Sequence, residues 1–401
     1  MPPIWYNPAM SRLCFGFLVC FATILPGAHA EAAIKPATII EAAACPAMDP
    51  VKCPALQQIL NAGPEAMPVL LKSLQSEESK TRRTAARIIG RAELGPAAVR
   101  TTALLGALKD TPGTIAGETL QALGRVADPS AIPTLTDALS TDTEDRNRIF
   151  AANALGNYDN DLARTALVAA LTDKHARVRL AAVTNLGRIG NAGSIGPLID
   201  RGLAEITTAF VREAVATALG RLKDRRALAP LVLLLGNKTP AVRSAAIRAL
   251  AALGDKAAVP SLLVMTSDAL VIPALTEALA ALGDPRGGQA LLSIAQNARL
   301  TKDQRSRALW ALGTLALPTT VAGIAGLLND RDEDVMRSAV EALGRIKAME
   351  GADPLAPLLD HTSLTVRKSV VWSLQEISGQ KFGMDAGAWR RWLDARKPPA
   401  E

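Results

Sequence analysis

The apolar positions of this chain fall at helical spacing. In residues 335–346, Val335, Ala339, Ala342, Leu343 and Ile346 stand at i, i+4, i+7, i+8 and i+11, one face of a 3.6-residue helix. Just upstream, Val321, Ile324 and Leu328 fall at i, i+3 and i+7 and mark a second helix. The two are separated by DRDED, a polar turn whose acids suit the unpaired N–H groups at a helix start. Nowhere does a β-branched run alternate with polar residues, so the pattern predicts helices and no sheet.

This unit repeats ten times. RRTAARIIG ends at Gly90, ETLQALG at Gly124, RIFAANALG at Gly156, VRLAAVTNLG at Gly187 and VREAVATALG at Gly220. Equivalent registers end at Ala251, Ala280, Gly313, Gly344 and Gln375, at intervals of 34, 32, 31, 33, 31, 29, 33, 31 and 31 residues. Each unit reads as a helix pair, with leucine filling the first helix and alanine abundant in the second. A glycine near the end of each second helix is expected to supply a left-handed cap, and a proline near each new start sits where its missing N–H does little harm. One pair cannot bury both of its faces, so stability has to come from stacking.

Units of about 31 residues with the lines VRLAAVTNLGRIG (178–190), VRSAAIRALAALGD (242–255) and VMRSAVEALGRIK (335–347) resemble HEAT repeats of the short bacterial, lyase-like kind. The resemblance covers residues 54–377 and implies an all-α, right-handed α-α superhelix, a solenoid of about ten helix pairs. It leaves the function open, because the repeat serves many unrelated roles. In such families an arginine in the second helix and an acid in the turn form a ladder between adjacent units. Here the arginines are Arg82, Arg148, Arg179, Arg212, Arg243, Arg305 and Arg367, and the turn positions six residues before the register hold Asp110, Asp142, Asp173, Asn237 and Asp330. Holding register is their expected role.

The N-terminus reads as an address. Residues 13–25, LCFGFLVCFATIL, form an uncharged apolar run flanked by Arg12 and by Pro26-Gly27, then Ala28-His29-Ala30. A basic flank, a short apolar core and an A-x-A site predict a signal peptide over 1–30, cleaved between Ala30 and Glu31, and a periplasmic or secreted protein. Two cysteines remain after cleavage, Cys45 and Cys53, within the segment 31–53. In an oxidising compartment they read as a disulfide closing a short loop, with free thiols as the other reading. No histidine stands near them and C-x-x-C spacing is absent, so neither metal nor redox chemistry is indicated.

Charge changes the picture little. The sequence carries 45 basic and 38 acidic residues, a net +7. Cleavage would remove only Arg12. With 3% aromatic residues a nucleic-acid stacking platform is not expected. Weak attraction to anionic envelope surfaces is the more natural consequence.

The resemblance places the second helices on the concave face. One ridge there reads Arg87, Gln121, Asn153, Thr184, Thr217, Arg248, Glu277, Trp310, Glu341 and Trp372. The next reads Arg91, Arg125, Asn157, Arg188, Arg221, Ala252, Ala281, Thr314, Arg345 and Glu376. The first half is therefore basic and the second mixed, with two tryptophans. Arginine and tryptophan are favoured interface anchors. Arg87, Arg91, Arg125, Arg188, Arg221, Arg248, Trp310 and Trp372 are thus candidates for binding another protein through an acidic or extended segment. The competing reading makes the arginines ordinary family residues and the tryptophans interhelix packing.

The end of the chain, residues 378–401, is expected to cap the solenoid. Asp385 suits the N-cap of a short helix, and Phe382, Trp389 and Trp392 suit the seal over the last unit. No P-loop, G-x-S-x-G elbow, H-E-x-x-H or haem motif is present. Hydroxylases built on similar repeats use His-Glu pairs, whereas here His175 precedes Ala176 and His361 precedes Thr362. The sequence thus points to a non-catalytic scaffold or adaptor of the cell envelope without a cofactor. An enzyme or enzyme-associated subunit, lyase-like or hydroxylase-like, is the alternative.

Overall fold

A computed structural model describes residues 34–45, 49–91, 94–110, 116–204 and 207–396. The expected signal peptide, with its cleavage site, lies outside the described residues, as does the side chain of Asp110.

Among the described residues there are only helices and turns. The chain opens with α1 (Pro36–Ala44) and α2 (Pro54–Ala62). Ten pairs follow: α3 (Met67–Leu74) with α4 (Ser79–Ile89), α5 (Ala97–Asp110) with α6 (Ala116–Val126), and α7 (Ile132–Thr141) with α8 (Asp145–Leu155). Next come α9 (Asp161–Ala169) with α10 (Ala176–Ile189), α11 (Ile195–Pro197) with α12 (Ala209–Leu222), and α13 (Leu228–Leu234) with α14 (Pro240–Leu253). The series closes with α15 (Val259–Leu263) and α16 (Ile272–Leu282), α17 (Gly287–Gln296) and α18 (Lys302–Leu315), and α19 (Val321–Ala325) and α20 (Glu333–Ile346). In the tenth unit a 3-10 stretch, Asp353–Asp360, pairs with α21 (Leu364–Ser378), and α22 (Ala386–Asp394) ends the array.

The predicted faces are the buried ones. Val335, Ala339, Ala342, Leu343 and Ile346 are all buried, and so are Val321, Ile324 and Leu328. The turn between them works as expected, with Asp332 capping α20 by accepting from the Asp334 N–H at 2.9 Å. The core is one continuous cluster from Ile34 to Leu393, as stacking of two-layer units requires.

The two layers are packed differently. Each second helix lies along the next for most of its length, while successive first helices touch at few points. The register glycines explain the close approach. A Cβ on Gly124 would stand 2.6 Å from Ala154 Cα, and one on Gly220 would stand 2.8 Å from Ala249 Cα. Side chains are therefore excluded where one second helix crosses the next. A stack held tighter on one side bends toward that side, which makes the second-helix layer the concave one.

The expected left-handed glycine cap is found after α10, α14, α16 and α21, at Gly190, Gly254, Gly283 and Gly379, but not at the glycines that end the repeated lines. Gly90 and Gly156 are right-handed, with φ of −66° and −61°, and Gly124, Gly187, Gly220, Gly313 and Gly344 lie inside their helices. The left-handed residue is Ala127, Gly190, Lys223, Gly254, Gly283, Ala316, Lys347 or Gly379, depending on the unit. The register glycine is needed for space, and the cap falls a few residues later on whatever residue stands there.

Both ends are closed. Cys45 ends α1 and Cys53 begins α2, and the two form a disulfide with a Cα separation of 5.9 Å. The pattern did not mark α1, whose Ile39 and Ala42 are buried. At the other end Asp385 Oδ1 accepts from the Ala388 N–H at 2.9 Å and caps α22. Trp389 is fully buried, edge-on to Phe382 at 4.9 Å and to Trp392 at 6.0 Å. Its Nε1 donates to the Gly383 carbonyl, so no polar atom is stranded.

Candidate partner-binding face

The second helices present both ridges outward. Arg87, Asn153, Thr184, Thr217, Arg248, Glu277, Trp310 and Trp372 are exposed, as are Arg125, Asn157, Arg188 and Arg221. Arg91, Gln121, Glu341, Arg345 and Glu376 are half-buried. Trp310 and Trp372 retain 49% and 38% of their surface, so neither is consumed by packing between helices.

The arginines of the second ridge do two things. Their stems cover the glycine of the preceding unit: Arg125 Nε lies 3.2 Å and Arg345 Cβ 3.2 Å from where a Cβ would stand on Gly90 and Gly313. Arg188 donates through Nη2 to Asn185 Oδ1 at 2.9 Å. Their heads remain at the surface. Partial burial, and then the positive charges of Arg87 and Arg91, hold the Arg125 guanidinium below its ordinary pKa. These three cations form one cluster.

The two halves differ in compensation. In the second half Glu277 pairs with Arg307 at 3.1 Å, Glu341 with Arg337 at 3.0 Å and Glu376 with Lys347 at 2.7 Å. In the first half, among the described residues, no acidic side chain lies within ion-pair distance of Arg87, Arg125, Arg188 or Arg221. Clefts punctuate the face. One of about 290 Å³ lies between α10 and α12, bordered by Thr184, Phe210, Glu213 and Arg221. Another of about 330 Å³ lies between α20 and α21, bordered by Glu341, Arg345, Lys368 and Trp372. Phe210, 45% exposed, is a feature the ridge arithmetic missed, since it precedes the register arginine instead of following it. A cleft of about 750 Å³ lies on the opposite face between α7 and α9 and is mostly apolar.

The ladder runs between units. Arg148 pairs with Asp173 at 2.9 Å, Arg243 with Asp268 at 2.6 Å, and Arg305 with Asp330, each acid 25 residues downstream. Toward their own turns Arg148, Arg179 and Arg243 use backbone, whereas Arg305 donates through Nε to the Ala295 carbonyl at 2.8 Å. Arg148 Nη1 donates to the carbonyl of Asp142 at 2.9 Å, Arg179 Nη1 to that of Asp173 at 2.8 Å, and Arg243 Nη1 to that of Asn237 at 2.8 Å. Asp173 thus contributes its carbonyl to its own arginine, Arg179, and its carboxylate to the previous one, Arg148. Asp268 was absent from the sequence-derived set because its turn is shorter. The histidines lie at turns, with His175 Nδ1 3.2 Å from Asp145 Oδ2 and His361 Nδ1 accepting from the Ser363 N–H.

HEAT repeats match at residues 67–149, 101–187, 138–206, 203–280 and 289–375. The chain belongs to the HEAT-repeat family. A bilin biosynthesis protein, PecE of Mastigocladus laminosus, is 34% identical over 134 residues, 32% of this HEAT protein and 49% of PecE. Among solved structures, Kap95p, in a structure where its binding switches the loops of RanGDP, superposes with a TM-score of 0.61 at 14% identity, over 89% of this chain and 58% of that one. Kap121p superposes with a TM-score of 0.58 at 14% identity, over 90% and 50%. At such identities these structures share the fold alone. The HEAT chain spans about half the length of the relatives it matches.

Proposed function

We propose that this HEAT solenoid is a non-catalytic scaffold that binds a partner protein along its second-helix face. The observation that carries the reading is the row Arg87, Arg125, Arg188 and Arg221, which among the described residues has no acidic side chain within ion-pair distance. Exposed arginines not engaged in ion pairs attract an acidic, extended segment and set its register by bidentate pairing. Trp310, Trp372 and Phe210 offer apolar anchors on the same face. The apolar run at 13–25, with its A-x-A site, and the Cys45–Cys53 disulfide support a place in the cell envelope, with cleavage after Ala30.

The test is capture from an envelope extract, wild type beside a variant with Arg91, Arg125, Arg188 and Arg221 changed to Glu. A protein captured by wild type and lost in the variant is expected. Equal capture by both overturns the basic face as the site, and no capture by either overturns the scaffold. The similarity to PecE favours a second reading, in which the partner is an enzyme subunit and this chain contributes to its activity. That reading requires the captured protein to show an activity that rises on adding the solenoid.

A further inference from the structure

The cleft between α7 and α9, about 750 Å³, lies on the face opposite the arginines. Its lining runs from Ile132 to Ser140 on one helix and from Leu162 to Thr172 beside the other. At roughly 1.5 Å per residue it is about 12 Å long, the size of a small-molecule site. Repeat register explains why the space is unfilled. Three residues before the turn positions Asp142, Asn237, Asp268 and Asp330 stand Leu139, Leu234, Met265 and Leu327, all buried. Three residues before Asp110 and Asp173 stand Ala107 and Ala170. A cleft lies beside each of these alanines. Ala107 borders one of about 300 Å³ between α3 and α5, and Ala170 borders the larger one, where Ala166 and Ala169 are small as well.

The charge at its rim is of one sign. Asp137 and Asp173 border the cleft, and among the described residues no basic side chain does. Asp173 is already engaged, its two oxygens accepting from Arg148 at 2.9 and 3.1 Å. Asp137 is exposed, and its carboxylate is in no ion pair with a described residue. Ser140 and Thr172 donate their hydroxyl hydrogens to the carbonyls of Thr136 and Ala169, at 3.1 Å each, which leaves both oxygens as acceptors. Aliphatic walls beside a free carboxylate suit a molecule with an apolar body and a cationic donor for a head. We propose that this cleft binds a small amphiphilic amine, its hydrocarbon body against Leu139, Leu162, Ala166 and Ala170 and its ammonium group at Asp137. The occupant bridges two first helices that otherwise touch at few points. The site uses none of the arginines of the opposite face, so its failure leaves the scaffold reading untouched.

Calorimetric titration of the whole chain with octylammonium, octanol and octanoate, each kept below the concentration at which it aggregates, tests the site. Wild type is expected to bind octylammonium saturably, octanol about fivefold more weakly, and octanoate more weakly still. The net charge of +7 draws an anion to the chain as a whole, so a preference for the cation isolates the cleft. Asp137→Asn is expected to bring octylammonium down to the level of octanol and to leave octanol unchanged. Ala170→Leu fills the space and is expected to abolish binding of both, and Ala166→Leu serves if Ala170→Leu does not fold. No saturable binding of octylammonium overturns the site, as does binding that survives in a folded leucine variant. Octanol or octanoate bound as tightly as octylammonium, or an unchanged affinity in Asp137→Asn, overturns the amine.

Discussion

At the residue scale, the glycines of this protein divide by what surrounds them. Gly124 is pressed against Ala154, so Gly124→Ala is expected to destabilise by about 1–3 kcal/mol through overpacking. Gly106 lies inside α5 with nothing within 4 Å of its missing side chain, and Gly106→Ala is expected to stabilise by about 1 kcal/mol. Denaturant midpoints of the two variants compared with wild type measure the contrast. Left-handed positions offer a second test. Ala127 and Ala316 have φ of 56° and 50°, a conformation that disfavours any residue with a Cβ. Ala127→Gly and Ala316→Gly are each expected to raise stability by about 0.5–1 kcal/mol, the relief of strain outweighing the added freedom of the unfolded chain. A lower melting point in either variant contradicts this. The register glycine was legible as a repeated letter, yet its reason was not. Spacing along one chain reveals that a small residue recurs, whereas close approach of a neighbouring helix is visible only in three dimensions.

At the scale of elements, the ladder ties turn to helix and unit to unit. Arg305 holds the Asp330 carboxyl below the usual carboxylate range, against the opposing effect of burial. A group with a depressed folded-state pKa contributes stability above its unfolded pKa, about 3.9, and loses it as pH falls through the folded value. Asp330→Asn is therefore expected to lower stability by about 3 kcal/mol at neutral pH, and the gap to wild type should close only below about pH 4. Urea titrations at pH 7 and pH 3 check both magnitude and window. The cap is the other element with a measurable share. Trp389→Ala opens a cavity at a fully buried position and is expected to cost about 3–5 kcal/mol locally. A chain ending at Gln380 should also melt lower, whereas an unchanged melt for it contradicts capping. Helix pairs, turn acids and cap were readable because each leaves a mark in consecutive residues. The inter-unit partner of each arginine was only half readable: turns of different length shift the acid against the next register, as Asp268 shows.

At the scale of the whole molecule, the array has two unlike faces. The basic ridge could be listed from sequence because a fixed repeat turns a column of residues into a row on a surface. Which charges are already neutralised could not be, since Glu277 and Glu341 find their arginines by rotamer and not by register. The apolar cleft between α7 and α9 was equally hidden, because it arises from first helices standing apart and no motif encodes a gap. Enlarging a residue in that cleft, as in Ala166→Leu, is expected to leave the melt within about 1 kcal/mol. It should nonetheless change the end-to-end dimension seen by small-angle scattering, and an unchanged profile would contradict the looseness of that layer.

The unequal packing of the layers has a mechanical meaning. A row of second helices locked by glycine against alanine resists extension as the inner tape of a coil does. The first helices, in sparse mutual contact, are the compliant backing. When such a coil flexes, strain falls on the backing, and the spacing of groups along the tape is conserved. Arginines and tryptophans carried on that tape keep their intervals while the coil opens or tightens around whatever it holds. The protein is in this respect a flexible ruler, free to bend and fixed in its graduations.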